Sequence, residues 1–257
     1  VDLAILDTNG AVLRTFTSDT TQRVQGTPTL SANAGVNRLS WDLRAAGPAT
    51  FPGMILWGAT TAGPALPPGR YQVRLTVDGR EQAAPVEVRR NPLFVDVSDD
   101  DLRAQYAVAT QIRDKVSEAN NSVIEIRRIK SEAAERMKKN ADARLKRAGG
   151  TLTTNLSDVE DDIYQVKNQS GQDPLNFPIK INNRLANLLR VVNSGDGRPI
   201  ANVPLLFAEY TRQLTVQTNR LQEVINRDLS AFNNELKRLR LPPIDPKCTA
   251  QPCGIVL

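Results

Sequence analysis

Residues 67–79 read Pro67-Pro-Gly-Arg-Tyr-Gln-Val-Arg-Leu-Thr-Val-Asp-Gly79 and decide the fold of the first third of the chain. From Tyr71 to Val77, apolar and polar residues alternate, which is typical of a β-strand with one face buried. Asp78-Gly79 then supplies a turn, because this pair readily adopts positive φ. The stretch predicts one strand, with Tyr71 in the core, followed directly by another.

Similar short runs and turns extend over residues 1–91. Asp7-Thr-Asn-Gly10 predicts a hairpin, and the alternating residues Val36, Leu39, Trp41 and Leu43 within Gly35–Arg44 predict a further strand with Trp41 in the core. Pro85–Arg89 predicts the last strand. This spacing of turns favours an immunoglobulin-like antiparallel β-sandwich over residues 1–91. Since Val1 falls inside an apparent strand, we expect upstream residues of this domain to be missing.

The connection from Pro48 to Pro68 is a long loop rich in Gly, Pro and Ala, and it contains Phe51-Pro-Gly-Met-Ile-Leu-Trp57. That segment is strongly apolar for a loop, so we expect it to be buried against the helices or against a missing upstream domain. Its large side chains form a candidate contact surface, comprising Phe51, Met54, Ile55 and Trp57.

After a linker at 92–98, the pattern becomes helical. Ser98 followed by three aspartates predicts a helix start, and the helix is expected to end near Ala148, at Gly149-Gly150. Shorter helices are predicted at 157–168 and 181–192, and a second long helix from near Pro204. The sequence thus predicts an α+β multidomain chain. Its elongated antiparallel helical bundle spans 99–241, with two long helices and two short ones, and an extended Pro/Cys tail spans 242–257.

Composition narrows the possible functions. The 257 residues, 40% apolar and 24% charged, are typical of ordinary globular domains. No apolar run is long enough to predict a transmembrane segment. The chain contains no histidine, so the commonest general base and metal ligand are both missing. We expect no catalytic residue, no metal and no cofactor, and we interpret the acidic clusters at 96–101 and 158–162 as helix starts.

Positive charge is concentrated in Glu125–Arg147. One interpretation is a site for an anionic partner. The other is a solvated helix end, in which oppositely charged side chains four residues apart form ion pairs. The candidate patch comprises Arg136, Lys138, Lys139, Arg144, Lys146 and Arg147.

Two cysteines, Cys248 and Cys253, lie in a Pro-containing segment near the end of the chain. Their spacing fits neither a redox pair nor a zinc site. We predict a short structural disulfide, which would indicate an oxidising compartment, with free thiols as the alternative.

Several stretches resemble known proteins. Residues 1–16, 35–44 and 67–75 are similar to the immunoglobulin-like module of flagellar hook-capping proteins. Together with four stretches from the helical part, they resemble the C-terminal region of secreted bacterial proteins of the BNR-repeat glycosyl hydrolase-like or sortilin-like propeller type. The four stretches are Lys115–Asn120, Asp173–Pro178, Asn182–Ala186 and Asp228–Asn233. The resemblance implies a β-propeller before Val1 and a secreted, periplasmic or cell-envelope location. Any catalytic site would then lie on the propeller.

The expected function is therefore a non-catalytic structural and protein-interaction region that supports or docks a propeller or another partner. One alternative is an accessory or glycan-binding part of a glycoside hydrolase, acting through Trp57 or a carboxylate pair. The other is binding of an anionic polymer or membrane surface by the basic end of the first long helix. Nucleic acid is not an expected partner.

Overall fold

A computed structural model of the chain describes residues 1–21 and 27–246. It comprises two compact units. The first contains Val1–Pro48, Thr61–Arg113 and Leu189–Val203, and the second contains Ala49–Thr60, Asp114–Leu188 and the described part of Pro204–Leu257. These units reflect packing, whereas the boundaries expected above reflect composition along the chain, so those boundaries stay predictions.

The first unit contains one four-stranded antiparallel sheet. Its strands are β1 (Asp2–Leu6), β2 (Val12–Thr17), β3 (Gly69–Val77) and β4 (Arg80–Val88), in the order β2-β1-β3-β4. Both expected turns join neighbouring strands, which confirms the hairpins at Asp7–Gly10 and at Asp78-Gly79. β4 lies at an edge of the sheet, where a proline such as Pro85 costs no central hydrogen bond.

Side chains from the sheet and from the loops share one core. Ile5, Phe16 and Tyr71 are buried together, and Trp41 packs against them while remaining partly accessible. The hydroxyl of Tyr71 donates to Pro67 O at 2.7 Å, and burial, followed by the nearby Tyr106, raises the pKa of Tyr71 to about 12. Tyr71 is therefore a core residue, as expected, whereas Trp41 lies at the core boundary.

The strand expected at 35–44 is wrong. These residues form no strand, apart from an isolated bridge between Arg44 and Ala65. Leu43 adopts φ 56°, which interrupts an extended chain, and Val36 is fully exposed. Near Val36 the chain turns, with Asn37 Nδ2 donating to Asn33 O at 2.9 Å. An alternating pattern alone did not distinguish this irregular segment from a strand.

Helices account for most of the chain after Ser98. They are α1 (Asp99–Lys138), α2 (Ala143–Ile163), α3 (Ile181–Val192), α4 (Val203–Val224) and α5 (Ser230–Arg238), with a π-helical segment at Ile225–Leu229 and a 3₁₀ turn at Asp173–Leu175. Ser98 and Asp101 cap α1 reciprocally. The predicted start of α1 and the predicted bounds of α3 are confirmed. No helix among the described residues is long and apolar enough to cross a membrane.

The expected end of the first helix at Gly149-Gly150 is wrong. α1 ends at Lys138, and Asp142 begins α2 by accepting from the backbone N–H groups of Arg144 and Leu145. Gly149 is buried inside α2, where an added Cβ would clash with Met137 Sδ and would lie 3.0 Å from the Phe232 ring. This glycine permits a close approach of side chains from α1 and α5.

The helix expected at 157–168 is the second half of α2, which ends at Ile163. The core of the second unit is built from apolar residues that recur every three or four positions. Those fully buried include Val123, Ile126 and Ile129 of α1, Leu152 and Leu156 of α2, Leu185 of α3, Leu214 of α4 and Phe232 of α5.

Candidate interaction site

The apolar loop, residues 49–60, packs on helices of the second unit. Phe51 is 2% exposed, and its ring meets the Tyr164 ring edge-on, with centroids 5.0 Å apart. The Arg127 guanidinium lies over both rings, 4.7 Å from the centroid of Phe51 and 5.3 Å from that of Tyr164. Edge-on rings and a cation over their faces are both favourable arrangements. Phe51 is thus an internal anchor of the loop.

A buried carboxylate holds Arg127 in place. Glu160 Oε1 accepts from Arg127 Nε at 2.7 Å, and Glu160 Oε2 accepts from Lys130 Nζ at 2.9 Å. Because Glu160 is only 4% exposed, its charge needs these partners, and loss of either cation would leave it poorly compensated. The loop anchor and the ion pairs between α1 and α2 therefore depend on one another.

Side chains from the helices also bind the backbone of the loop directly. Tyr164 Oη accepts from Ile55 N at 3.1 Å and donates to Gly53 O at 3.4 Å. Asn183 binds both backbone groups of Trp57: Oδ1 accepts from Trp57 N at 2.7 Å, and Nδ2 donates to Trp57 O at 2.8 Å. Loop backbone must find hydrogen-bond partners when it leaves water, and these side chains provide them.

The start of the loop is fixed by a chain of amides. Asn120 Nδ2 donates to Ala49 O at 2.7 Å, and Asn182 Nδ2 donates to Asn120 Oδ1 at 3.1 Å. Ser117 Oγ accepts from Ala49 N at 3.1 Å. Asn120 and Asn182 are 0% and 1% exposed, so the bond between them forms away from water, where an unpaired Asn120 Oδ1 would be costly.

The four candidate contact residues are not equivalent. Phe51 is internal, Met54 and Ile55 are half-buried, and Trp57 is 39% exposed. The two backbone bonds to Asn183 fix the position of Trp57, while its indole remains partly accessible. The loop can therefore present an aromatic side chain from a well-supported backbone.

Sequence reasoning missed the polar residues that bind the loop, namely Ser117, Asn120, Tyr164, Asn183 and Asn187, and also Asn182, which binds Asn120. One signal was available in α3. Asn183 and Asn187 are four residues apart and therefore share a face of the helix, and Asn187 Nδ2 donates to Gly58 O. No local signal marked Tyr164.

The candidate basic patch lies at the junction of α1 and α2. Arg136 is engaged by Glu132, at 3.2 Å, and donates to Pro242 O. The other members are exposed, namely Lys138, Lys139, Arg144, Lys146 and Arg147.

The acidic cluster at 96–101 lies at the start of α1, as interpreted, whereas the cluster at 158–162 lies in the last turns of α2, so its interpretation as a helix start is wrong. Both clusters have structural partners. Asp158 and Asp162 both contact Arg220, at 3.7 and 3.0 Å. Asp101 accepts from Ser98, and Ser98 and then Arg198 hold its pKa below the ordinary value. In the part of the chain that the structure describes, no three or more His, Cys, Asp or Glu residues gather as a metal site. Cys248 and Cys253 lie outside the described residues, so their disulfide stays a prediction.

A comparison with known protein families, with curated proteins and with solved structures gives no match.

Proposed function

We propose that this chain is a non-catalytic structural and protein-interaction region of a larger extracytoplasmic protein, where it supports or docks a β-propeller or another protein partner. The propeller and the location follow from the sequence resemblance described above. The observation that supports an interaction role is the anchored apolar loop, which holds Trp57 at the surface through Asn183.

The geometry of the loop suits protein recognition. Large aromatic side chains commonly carry much of the binding energy at interfaces. A loop that is already ordered loses less conformational entropy when it binds. Because Phe51 is buried and the backbone is bound at Gly53, Ile55 and Trp57, much of that ordering is complete before any partner arrives.

The finer form of the fold belongs to the same proposal. The four-stranded sheet would be one layer of an immunoglobulin-like sandwich, and the helices would form an antiparallel bundle. The exposed apolar positions Val12 and Val77 on the sheet, 51% and 39% exposed, are consistent with a sheet that packs against further chain.

Glycan binding is the second candidate, because the exposed indole of Trp57 could stack on a sugar ring. The two candidates share this side chain but differ in the ligand. They can therefore be separated by changing one residue and measuring two kinds of binding.

The experiment measures binding of the whole chain to the polypeptide that precedes Val1 in the parent protein, by calorimetry. Trp57→Ala should weaken this association at least about tenfold, as expected for an interface hot spot. Phe94→Ala is the matched control, since Phe94 is a similarly exposed aromatic (45%) in the first unit, and it should leave binding unchanged.

A parallel pull-down on insoluble polysaccharides tests the alternative. Retention of the wild-type chain that is lost in Trp57→Ala, without any association with the upstream polypeptide, would establish glycan binding instead. Absence of binding in both assays would contradict both candidates.

A further inference from the structure

Three chain segments meet at one end of the second unit. Arg238, in α5, donates to Asp142 Oδ1 at 2.6 Å, just before α2 begins. Gly149 of α2 lies against Met137 of α1 and Phe232 of α5. Residues 136–147 and 237–240 are therefore neighbours in space, and we name them together the basic end.

The charge of the basic end is strongly positive. These two segments contain nine Lys or Arg residues and one carboxylate, that of Asp142. Three glutamates border them, namely Glu132, Glu135 and Glu235. With these included, the region still carries a net charge of +5, equal to that of the whole chain. Sequence spacing alone identified only six of the cations, because Lys237, Arg238 and Arg240 lie about 90 positions further along the chain.

Most of this charge is available to a partner. Arg136 is paired with Glu132, and Arg238 with Asp142 and Glu235. The remaining seven cations are exposed, and none of them has a carboxylate of a described residue within 4.0 Å. They are Lys138, Lys139, Arg144, Lys146, Arg147, Lys237 and Arg240. Unpaired like charges gathered in this way repel one another and favour anionic partners.

The neighbouring side chains narrow the class of partner. No large apolar residue of the basic end is exposed, within the described chain, so neither base stacking nor insertion into hydrocarbon is supported. Arg144 and Lys146 point in roughly opposite directions around α2, since each residue advances a helix by about 100°. The cations therefore surround a helix end instead of following one face. Cations on opposite sides of a helix can reach one plane together only when the helix end points towards it, so this distribution suits end-on contact with a planar array of phosphates.

We propose that the basic end is a docking surface for an anionic phospholipid bilayer, held by electrostatic contact with lipid phosphates and without insertion. This inference goes beyond the proposed scaffold role and does not depend on it, because it uses no residue of the apolar loop.

The test is co-sedimentation of the whole chain with phosphatidylcholine vesicles containing about 30 mol% phosphatidylglycerol, at low and high salt. The variant combines Arg144→Gln, Arg147→Gln and Arg240→Gln. Each cation near an anionic membrane contributes about fivefold to partitioning, so the triple variant should partition about 100-fold less. The control combines Arg38→Gln, Arg70→Gln and Arg80→Gln, which removes the same charge from exposed positions of the first unit.

Binding that requires phosphatidylglycerol, falls steeply with salt and is lost only in the basic-end variant would support the proposal. Equal losses of vesicle binding in both variants would show that only the net charge of the chain matters, and would overturn the proposal. Binding to duplex DNA or dextran sulfate, but not to vesicles, would also overturn it and assign the surface to a soluble polymer. Circular dichroism and thermal unfolding establish that each variant is folded before binding is compared.

Discussion

Asn183 and Trp57 are joined by two reciprocal hydrogen bonds, with Oδ1 accepting from Trp57 N at 2.7 Å and Nδ2 donating to Trp57 O at 2.8 Å. The two residues are 126 positions apart. One side chain of α3 thereby satisfies both backbone groups of the residue that carries the exposed indole. This pairing couples the candidate contact residue to the folded helices.

Asn183→Ala tests the energetic importance of that pairing. It leaves the N–H and C=O of Trp57 without these partners, so the free energy of unfolding should fall by about 1–3 kcal/mol. Urea denaturation followed by tryptophan fluorescence measures the change. Asn121→Ala, at an exposed position of α1, is the control and should change stability by less than about 0.5 kcal/mol. Equal stability of the two variants would refute the interpretation.

Gly149→Ala and Gly150→Ala should have opposite effects, although they are adjacent. A Cβ at Gly149 would meet Met137 and the buried Phe232, whereas nothing lies within 4 Å of a Cβ at Gly150. We expect Gly149→Ala to destabilise the chain by about 1–3 kcal/mol through overpacking. Gly150→Ala should stabilise it by about 0.5–1 kcal/mol, because alanine favours a helix interior. Thermal unfolding distinguishes the two variants. Changes of the same sign in their unfolding temperatures would be inconsistent with the packing at Gly149.

Tyr71 should make stability depend on alkaline pH. Its pKa is raised to about 12, mainly by burial, whereas in the unfolded chain it titrates near 10. The folded state therefore holds the proton more tightly, and the stabilising contribution is complete below about pH 10 and is lost as the pH rises through about 12. The check is the difference in unfolding free energy between wild type and Tyr71→Phe from pH 8 to 12. That difference should shrink above pH 10, and a constant difference would argue against a buried phenol.

Phe51→Ala should cost far more stability than Trp57→Ala. Phe51 is 2% exposed and contacts Tyr164 and Arg127, whereas Trp57 is 39% exposed. Truncation of a buried phenylalanine costs about 3–5 kcal/mol, and the loss for Trp57 should be less than half of that. Chemical denaturation of both variants is the measurement. Similar losses would mean that the two residues do not divide into an anchor and a surface contact.

Local signals predicted part of the fold. The hairpin at Asp7–Gly10, the turn at Asp78-Gly79, the cap at Ser98 and the bounds of α3 are all confirmed. In each case, the residues that determine the conformation are neighbours in sequence. The error at Gly149-Gly150 arose because glycine is ambiguous: it ends helices, but it also permits close packing inside them, and only the positions of Met137 and Phe232 distinguish the two.

The candidate site was less predictable. An apolar loop that needs burial could be recognised from Phe51–Trp57, but the residues that bind it could not. Asn120, Tyr164 and Asn183 lie between 71 and 126 positions from their loop partners, and their amide or hydroxyl groups are ordinary in sequence. Likewise, the proximity of α5 to the other cations of the basic end is shown only by contacts in the fold, those of Arg238 with Asp142 and of Phe232 with Gly149.

The central claim is that the apolar loop is an ordered part of the helical unit before any partner binds. Amide hydrogen exchange at Ile55 and Trp57 tests it most directly, since these N–H groups donate to Tyr164 and Asn183. We predict that both amides exchange about 100-fold more slowly than in an unstructured peptide. Asn183→Ala should accelerate the exchange of the Trp57 amide more than that of the Ile55 amide. Exchange of the wild-type Trp57 amide at the rate of an unstructured peptide would contradict the account.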